Sequence, residues 1–335
     1  HWSPHYPELI LVSYSAKGRG QVLEAALLTS RRKSENSPKI STPEGLVIVW
    51  SLGLPSGPEF VFYAQSIVTC VRFSDFDEHL VVGGCYSGQV VCWDMRASSL
   101  PVQQTNISLN SHDHPVYGMA MEGTVTAHSL ITASIDGKIT WWNPNQLSQH
   151  IESIQLPLPT SKNDILVSCI ACAPSENSMQ LLIGAENGAV YSSVVHIRGG
   201  GVLNELKGHY GMVTSLDTNP SKSKLLQGLV LSSSVDWTTN LWNLNKSDRP
   251  LLSFNLESYD YVCDARWSPK NPALFATANV AGELALWNLN VSYDSPVVPP
   301  IKVKEGVALT KLSWTRDGRK IAVGDVDGEI IIFSI

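Results

Sequence analysis

The sequence predicts an all-β fold made of seven copies of one small unit, and two observations carry that prediction. The first is a short strand that recurs with glycine at its start and, in most copies, an aromatic at its end. The copies are Gly45–Trp50, Gly88–Trp93, Gly137–Trp142, Gly188–Ser193, Trp237–Trp242, Gly282–Trp287 and Gly328–Phe333. In the fifth copy Trp237 holds the glycine position. Successive copies are offset by 43, 49, 51, 49, 45 and 46 residues. The second observation is that helical periodicity is almost absent: apolar residues alternate, or run in short stretches bounded by turn residues. A period of roughly 40–45 residues, lengthened by loop insertions and closed by an aromatic, is the signature of WD-type propeller blades. A single three-stranded unit cannot bury its own faces, so the copies must pack against one another. The predicted fold is a seven-bladed WD40-type β-propeller occupying residues 1–335 as one domain.

Taken in order, blade one comprises a strand over Glu8–Ser15, a long connection and the strand Gly45–Trp50. The connection, a polar surface insertion at about 16–44, carries Arg31-Arg32-Lys33 among Ser30, Ser34 and Ser37. Its composition predicts a mobile loop with a helical turn within Val22–Leu28. A basic run beside serines suits phosphorylation or an acidic partner, but a solvated tip without a role is the simpler reading. Blade two reads V-T-C-V-R-F-S, L-V-V-G-G-C-Y and Q-V-V-C-W-D, with an outer edge strand at Pro101-Val102-Gln103. Blade three contains H-D-H-P-V-Y-G-M, S-L-I-T-A-S-I-D and K-I-T-W-W-N, while blade four is degenerate and lacks the closing aromatic. In blade five Val213, Ser215 and Asp217 alternate with Thr214, Leu216 and Thr218, which predicts a regular period-2 strand. Blades six and seven repeat the pattern, but blade seven shows three strands and no fourth. The opening His1-Trp2-Ser3-Pro4 matches the end of a first strand, as in Arg266-Trp267-Ser268-Pro269. The expectation is a chain cut within blade one, with the outer strand of the last blade supplied from upstream of His1. Such a strand would protect an otherwise open edge.

Composition narrows the function. A formal charge of −6 and a pI near 5.8 argue against a general nucleic-acid or anionic-membrane surface. No apolar run approaches the ~18 residues that span a bilayer, and no signal peptide is visible. Cys70, Cys85, Cys92, Cys169, Cys172 and Cys263 lie in or beside predicted strands, which suits reduced core residues of an intracellular protein. Cys169 and Cys172 form a C-x-x-C, but residues three apart on a period-2 strand face opposite sides, which defeats chelation.

Two blades carry a polar tetrad at matching spacing: His112, Thr132, Asp136 and Trp142 in blade three, and His209, Ser232, Asp236 and Trp242 in blade five. Histidine, aspartate and a hydroxyl invite a catalytic-triad reading. The repeat favours a structural one, in which a buried imidazole bridges the turn aspartate and the strand hydroxyl, whose chain ends on the indole N–H. No phosphate loop, H-E-x-x-H, G-x-S-x-G or dinucleotide-binding glycine set is present. The inner-strand starts Val68, Val116, Val167, Val213, Val262 and Leu309 are apolar, not a ring of carboxylates. The reading is of a protein without catalytic residues, metal or cofactor. Tyr86, Tyr210, Trp237, Tyr259 and Tyr261 sit at blade turns or just before first strands, where they suit contacts with a partner.

Eight segments carry a more specific likeness: W-S-P-H-Y-P-E-L at Trp2–Leu9, P-E-F-V-F-Y-A-Q-S at Pro58–Ser66, Leu80–Asp94, Pro101–Thr105, His114–Tyr117, Asp236–Trp242, Trp267–Ala276 and Gly318–Asp325. With them the chain resembles the WD-repeat domain of a dynein intermediate chain, most closely the cytoplasmic class. The insert Lys17–Lys39 departs from that pattern. The resemblance implies a non-catalytic motor subunit whose propeller docks on the heavy-chain tail, two copies per motor, in minus-end-directed transport on cytoplasmic microtubules. It implies that light chains and dynactin bind through an N-terminal region not included in these residues. The alternatives are an axonemal intermediate chain and an unrelated WD40 scaffold or peptide-binding adaptor.

Overall fold

The computed structural model describes residues 1–14, 44–54, 57–106, 111–156, 166–174, 179–194, 202–221, 223 and 225–335. The helical turn within Val22–Leu28 and the basic run Arg31-Arg32-Lys33 lie outside them. Every regular element of the described residues is a strand, and seven antiparallel sheets follow one another along the chain. The fold is all-β, with the seven blades of a β-propeller, as the period predicts. Two compact units are present: His1–Ser134 with Ile139–Ser153, and Ile135–Lys138 with Ile154–Ile335.

The first unit holds blade one, with β1 (Leu9–Tyr14), β2 (Gly45–Ser51) and β3 (Phe60–Ala64), and blade two, with β4 (Val68–Phe73), β5 (Leu80–Cys85), β6 (Val90–Asp94) and β7 (Gln103–Gln104). It also holds most of blade three, with β8 (Val116–Gly123), β9 (His128–Ser134), β10 (Lys138–Asn143) and β11 (Gln146–Gln155). Trp2 bridges to Ile10, and the Ser3 N–H donates to the Leu9 carbonyl (2.9 Å). Phe73 pairs with Val81 and Ser74 N–H with the Leu80 carbonyl in the same way. His1–Ser3 therefore sits against blade one as the end of an inner strand does in blade two. The outer strand of blade two is Gln103–Gln104, later than the Pro101-Val102-Gln103 that the sequence suggests, and Pro101 has no N–H to give the ladder.

The second unit carries blade four, with β12 (Val167–Pro174), β13 (Met179–Ala185), β14 (Ala189–Val194) and β15 (Val202–Lys207), and blade five, with β16 (Val213–Thr218), β17 (Leu229–Ser234), β18 (Thr238–Asn243) and β19 (Leu252–Asn255). Blade six has β20 (Val262–Trp267), β21 (Leu274–Asn279), β22 (Glu283–Asn288) and β23 (Ile301–Lys302). Blade seven has β24 (Leu309–Trp314), β25 (Lys320–Asp325) and β26 (Ile330–Ser334). Blade four compensates for its missing closing aromatic with Tyr191, two positions earlier and buried. Its hydroxyl accepts from Asn187 Nδ2 at the preceding turn (2.8 Å) and donates to Glu205 Oε1 (3.3 Å).

One departure from the expected strands recurs. The inner strands β4, β8, β12, β16, β20 and β24 each shift register after their first residue, which is a β-bulge. In β16 the shift breaks the predicted alternation, so that Val213 and Leu216, three apart, enter the same apolar cluster with Val230 and Trp242. The extra residue is Thr69, Ser168, Thr214 or Thr310 in four of the six, and its hydroxyl does work that the ladder cannot. Ser168 Oγ donates to the Val213 carbonyl of the next blade (2.5 Å), and Thr214 Oγ1 donates to the Val262 carbonyl (2.6 Å). Thr69 does the same to the Val116 carbonyl in the first unit. In β12 both cysteines lie beyond the bulge, where alternation holds: Cys169 pairs with Gly184 and Cys172 with Leu181.

A charged tie adds to these contacts in the second unit. Asp264, fully buried, accepts the Leu312 N–H of blade seven (2.9 Å) and faces Arg266 Nε at 3.0 Å. Arg266 in turn donates to the Leu216 carbonyl of blade five (3.2 Å), and Asp217 accepts the Trp267 N–H (2.7 Å). Blades five, six and seven are thus joined through carboxyl and guanidinium side chains whose hydrogen-bonding capacity is largely used, and burial pushes the Asp217 carboxyl up to about 6.

The close approach of blades decides where glycine is required. A Cβ at Gly184 would lie 2.5 Å from Cys169 Sγ and 2.8 Å from Val213 Cγ1, whereas one at Gly324 would meet nothing nearer than 3.6 Å. Gly184→Ala should therefore lower stability by about 1–3 kcal/mol through overpacking. Gly324→Ala should be neutral or gain about 0.5–1 kcal/mol from reduced chain entropy. Urea midpoints of the two variants should move apart in those directions.

Candidate functional site

Blade five contains the fullest polar constellation among the described residues. The turn between β17 and β18 presents Asp236, and the segment before β16 brings in His209, whose ring is buried. Asp236 Oδ2 lies 3.0 Å from His209 Nδ1. A carboxylate only accepts, so Nδ1 carries the proton. Nε2 then accepts from the Ser232 hydroxyl (2.6 Å), and Ser232 Oγ accepts the Trp242 indole N–H (2.7 Å). Asp236 also accepts from the Tyr210 N–H (2.9 Å), the Thr238 N–H (3.1 Å) and the Thr238 hydroxyl (2.7 Å). Burial alone would raise its pKa. The His209 hydrogen bond, with the Thr238 and Tyr210 donors, outweighs that and holds it well below the usual carboxylate range.

This order resembles a serine-protease relay, but its location forbids the chemistry. Ser232 is fully buried, and its oxygen is already occupied by an indole N–H. No substrate carbonyl can approach, and the chain of bonds locks a turn instead. Blade three repeats part of it: Thr132 Oγ1 lies 2.7 Å from His112 Nε2 and accepts the Trp142 N–H at 2.8 Å. Asp136 accepts the Lys138 N–H (3.0 Å) at its own turn. Blade six carries a version the motif search missed, with Trp287 Nε1 donating to Thr277 Oγ1 (3.1 Å). The ten-residue spacing from hydroxyl to indole, shared by Thr132–Trp142 and Ser232–Trp242, was the signal for it.

All six cysteines are free thiols. Burial pushes Cys85 and Cys92 up to about 12 and Cys169 to about 11, which leaves little thiolate at neutral pH. The inner-strand starts Val68, Val116, Val167, Val213, Val262 and Leu309 are buried, as packing residues are.

The predicted partner-contact aromatics are on the surface but not all together. Tyr86 is exposed at the β5–β6 turn of the first unit, while Tyr210, Trp237, Tyr259 and Tyr261 are exposed in the second. Tyr210 is 98% exposed, and Trp237 and Tyr259 pack edge to face with ring centroids 6.3 Å apart.

Replacing Asp236 tests the lock. Asp236→Ala would leave the His209 Nδ1–H without its carboxylate and cost about 1–3 kcal/mol near neutral pH. Because the folded-state pKa is depressed, this contribution is complete above the ordinary value of 3.8 and is lost as pH falls towards the folded value. The gap between parent and variant in urea unfolding should therefore be widest above about pH 5 and narrow on acidification.

Comparison with known proteins agrees with this geometry. Residues 2–135 match the model of the dynein axonemal intermediate chain 3 WD40 domain, and residues 200–243 match the WD domain, G-beta repeat. Over its whole length the chain is 38% identical to the cytoplasmic dynein 1 intermediate chain of Drosophila melanogaster. It spans 47% of that relative's length. The repeat match spans the relay of blade five, from His209 to the closing Trp242. On these matches the chain belongs to the dynein intermediate chain family, within its WD-repeat part.

Proposed function

We propose that this chain acts as a non-catalytic intermediate-chain subunit of a cytoplasmic dynein, docking on the heavy-chain tail and scaffolding motor assembly and cargo or adaptor attachment. The observation that carries the reading is the 38% identity across all of its residues to a cytoplasmic dynein 1 intermediate chain. The structure supports a binding role in kind. Stability is distributed over repeated sheets, the polar relays are sealed inside them, and the turns are left free to present side chains. In this reading the motor carries two copies, located on cytoplasmic microtubules and working in minus-end-directed transport. In the same reading, light chains and dynactin are further partners of the motor.

A second reading has its own support, since the model matching residues 2–135 is that of an axonemal intermediate chain. Co-purification separates the two. The folded chain, incubated with recombinant heavy-chain tails of each class, should sediment at moderate salt as a stable one-to-one complex with the cytoplasmic tail. A complex with the axonemal tail alone would favour the second reading. A folded chain that remains free of both would remove the heavy-chain assignment.

A further inference from the structure

One turn position is occupied differently in one blade. Between the second and third strands, five blades place glycine in the left-handed region: Gly88, Gly137, Gly188, Gly282 and Gly328, with φ between 82° and 88°. Blade five places Trp237 there, at φ 74°. A side chain in this region is strained, because its Cβ crowds the backbone. A second exposed aromatic of the same surface, Tyr259, is also left-handed at φ 48°. Neither ring is hidden: Trp237 is 47% exposed and Tyr259 59%. A buried ring could recover such strain through packing, but these rings are half in water.

The charge around them has one sign. Residues 208–212, 235–237, 256–261 and 280–282, the turns and connections at this end of blades five and six, contain Asp236, Glu257 and Asp260 and no lysine or arginine. Lys207, the nearest cation along the chain, is tied to Glu205 at 3.1 Å. Asp236 is committed to His209, which leaves Glu257 and Asp260 facing outwards. Trp237 and Asp260 both border one small recess between the two blades, floored by Phe254, Val262 and Trp287, with room for about one water, so a larger group would sit at its rim, against the exposed indole. An exposed aromatic ring with carboxylates around it is the chemistry that takes a guanidinium at a surface, by cation–π contact and a charge-assisted hydrogen bond.

We propose that this surface of blades five and six is a docking site for an arginine-bearing polypeptide segment, with Trp237 and Asp260 receiving the arginine. On the reading given above, which this assignment of the occupant rests on, the segment belongs to the dynein heavy-chain tail. Blade five can hold Trp237 in a strained turn because its Asp236 takes four hydrogen bonds.

Two assays on the folded chain decide the matter. In the first, a short arginine-rich peptide is titrated and read by fluorescence, with a glutamate-rich peptide as control. The parent should bind the arginine peptide saturably, and Trp237→Gly and Asp260→Lys should each weaken it at least tenfold. Trp237→Gly restores the residue type found in five other turns, so its melting temperature should be unchanged or higher. Leu225→Ser, at the β16–β17 turn on the opposite end of the blade, should bind as the parent does. Equal binding by Trp237→Gly, or no saturable binding up to about 1 mM, overturns the proposal. In the second assay the same proteins are mixed with the heavy-chain tail. Parallel losses place the tail on this surface. A parent that binds the peptide but not the tail refutes the heavy-chain reading and leaves the arginine site standing. Tail binding that is insensitive to both variants puts the tail elsewhere and overturns the assignment of this occupant.

Discussion

The joining of successive blades depends on how the carbonyl at the start of an inner strand is satisfied, as at Val116, Val213 and Val262. Each inner strand begins with a bulge, and a bulge removes residues from the ladder that would otherwise pair them. The carbonyls of Val116, Val213 and Val262 are instead met by hydroxyls of the preceding blade, from Thr69, Ser168 and Thr214. A polar group that would be costly to bury alone becomes the fastener between repeats. The valine side chains at the same positions press against the neighbouring sheet, and Gly84 and Gly184 leave the room they need. Packing and hydrogen bonding between blades thus arise from the same irregularity.

At the same end of these blades a second controlling feature is the left-handed turn residue. Glycine takes that conformation without a Cβ penalty, and five blades use it. Blade five does not, and it is also the blade in which the complete relay from Trp242 through Ser232 and His209 reaches Asp236. Those bonds hold the turn from inside while Trp237 stands outside it. The two facts belong together: a rigid turn can carry a strained, exposed indole where a loose one would relax it away. The relay that looks like a catalytic triad is therefore better understood as the internal support of a surface side chain.

This division of labour fits membership of the dynein intermediate chains. The residues of the relay are sealed within blade five, and Asp264, Arg266 and Asp217 are spent on joining blades. Aromatic and acidic side chains at the turns remain available. Such a molecule offers shape and charge to a partner.

Local and repeated features were legible in the sequence. The spacing of glycine and aromatic residues determined the all-β class, the number of blades and the positions of their third strands, because each copy restates the same turn and pleat. The four members of the blade-five relay were legible for the same reason, as their spacing matches that of blade three. The bulges were not, since Val213–Thr218 reads as a regular alternation and nothing local marks the extra residue. The inter-blade bonds were not either: their partners lie 45 to 50 positions apart, in the next repeat, across loops of unequal length. Tyr191 substituting for a missing tryptophan is a packing outcome of the same kind, whereas Thr277 and Trp287 keep the ten-residue spacing of the other hydroxyl–indole pairs. Trp237 could be seen standing in glycine's place. Its positive φ, its exposed ring against Tyr259 and the recess it borders with Asp260 were decided by the tertiary structure, where two adjacent blades bring residues from separate turns onto one surface.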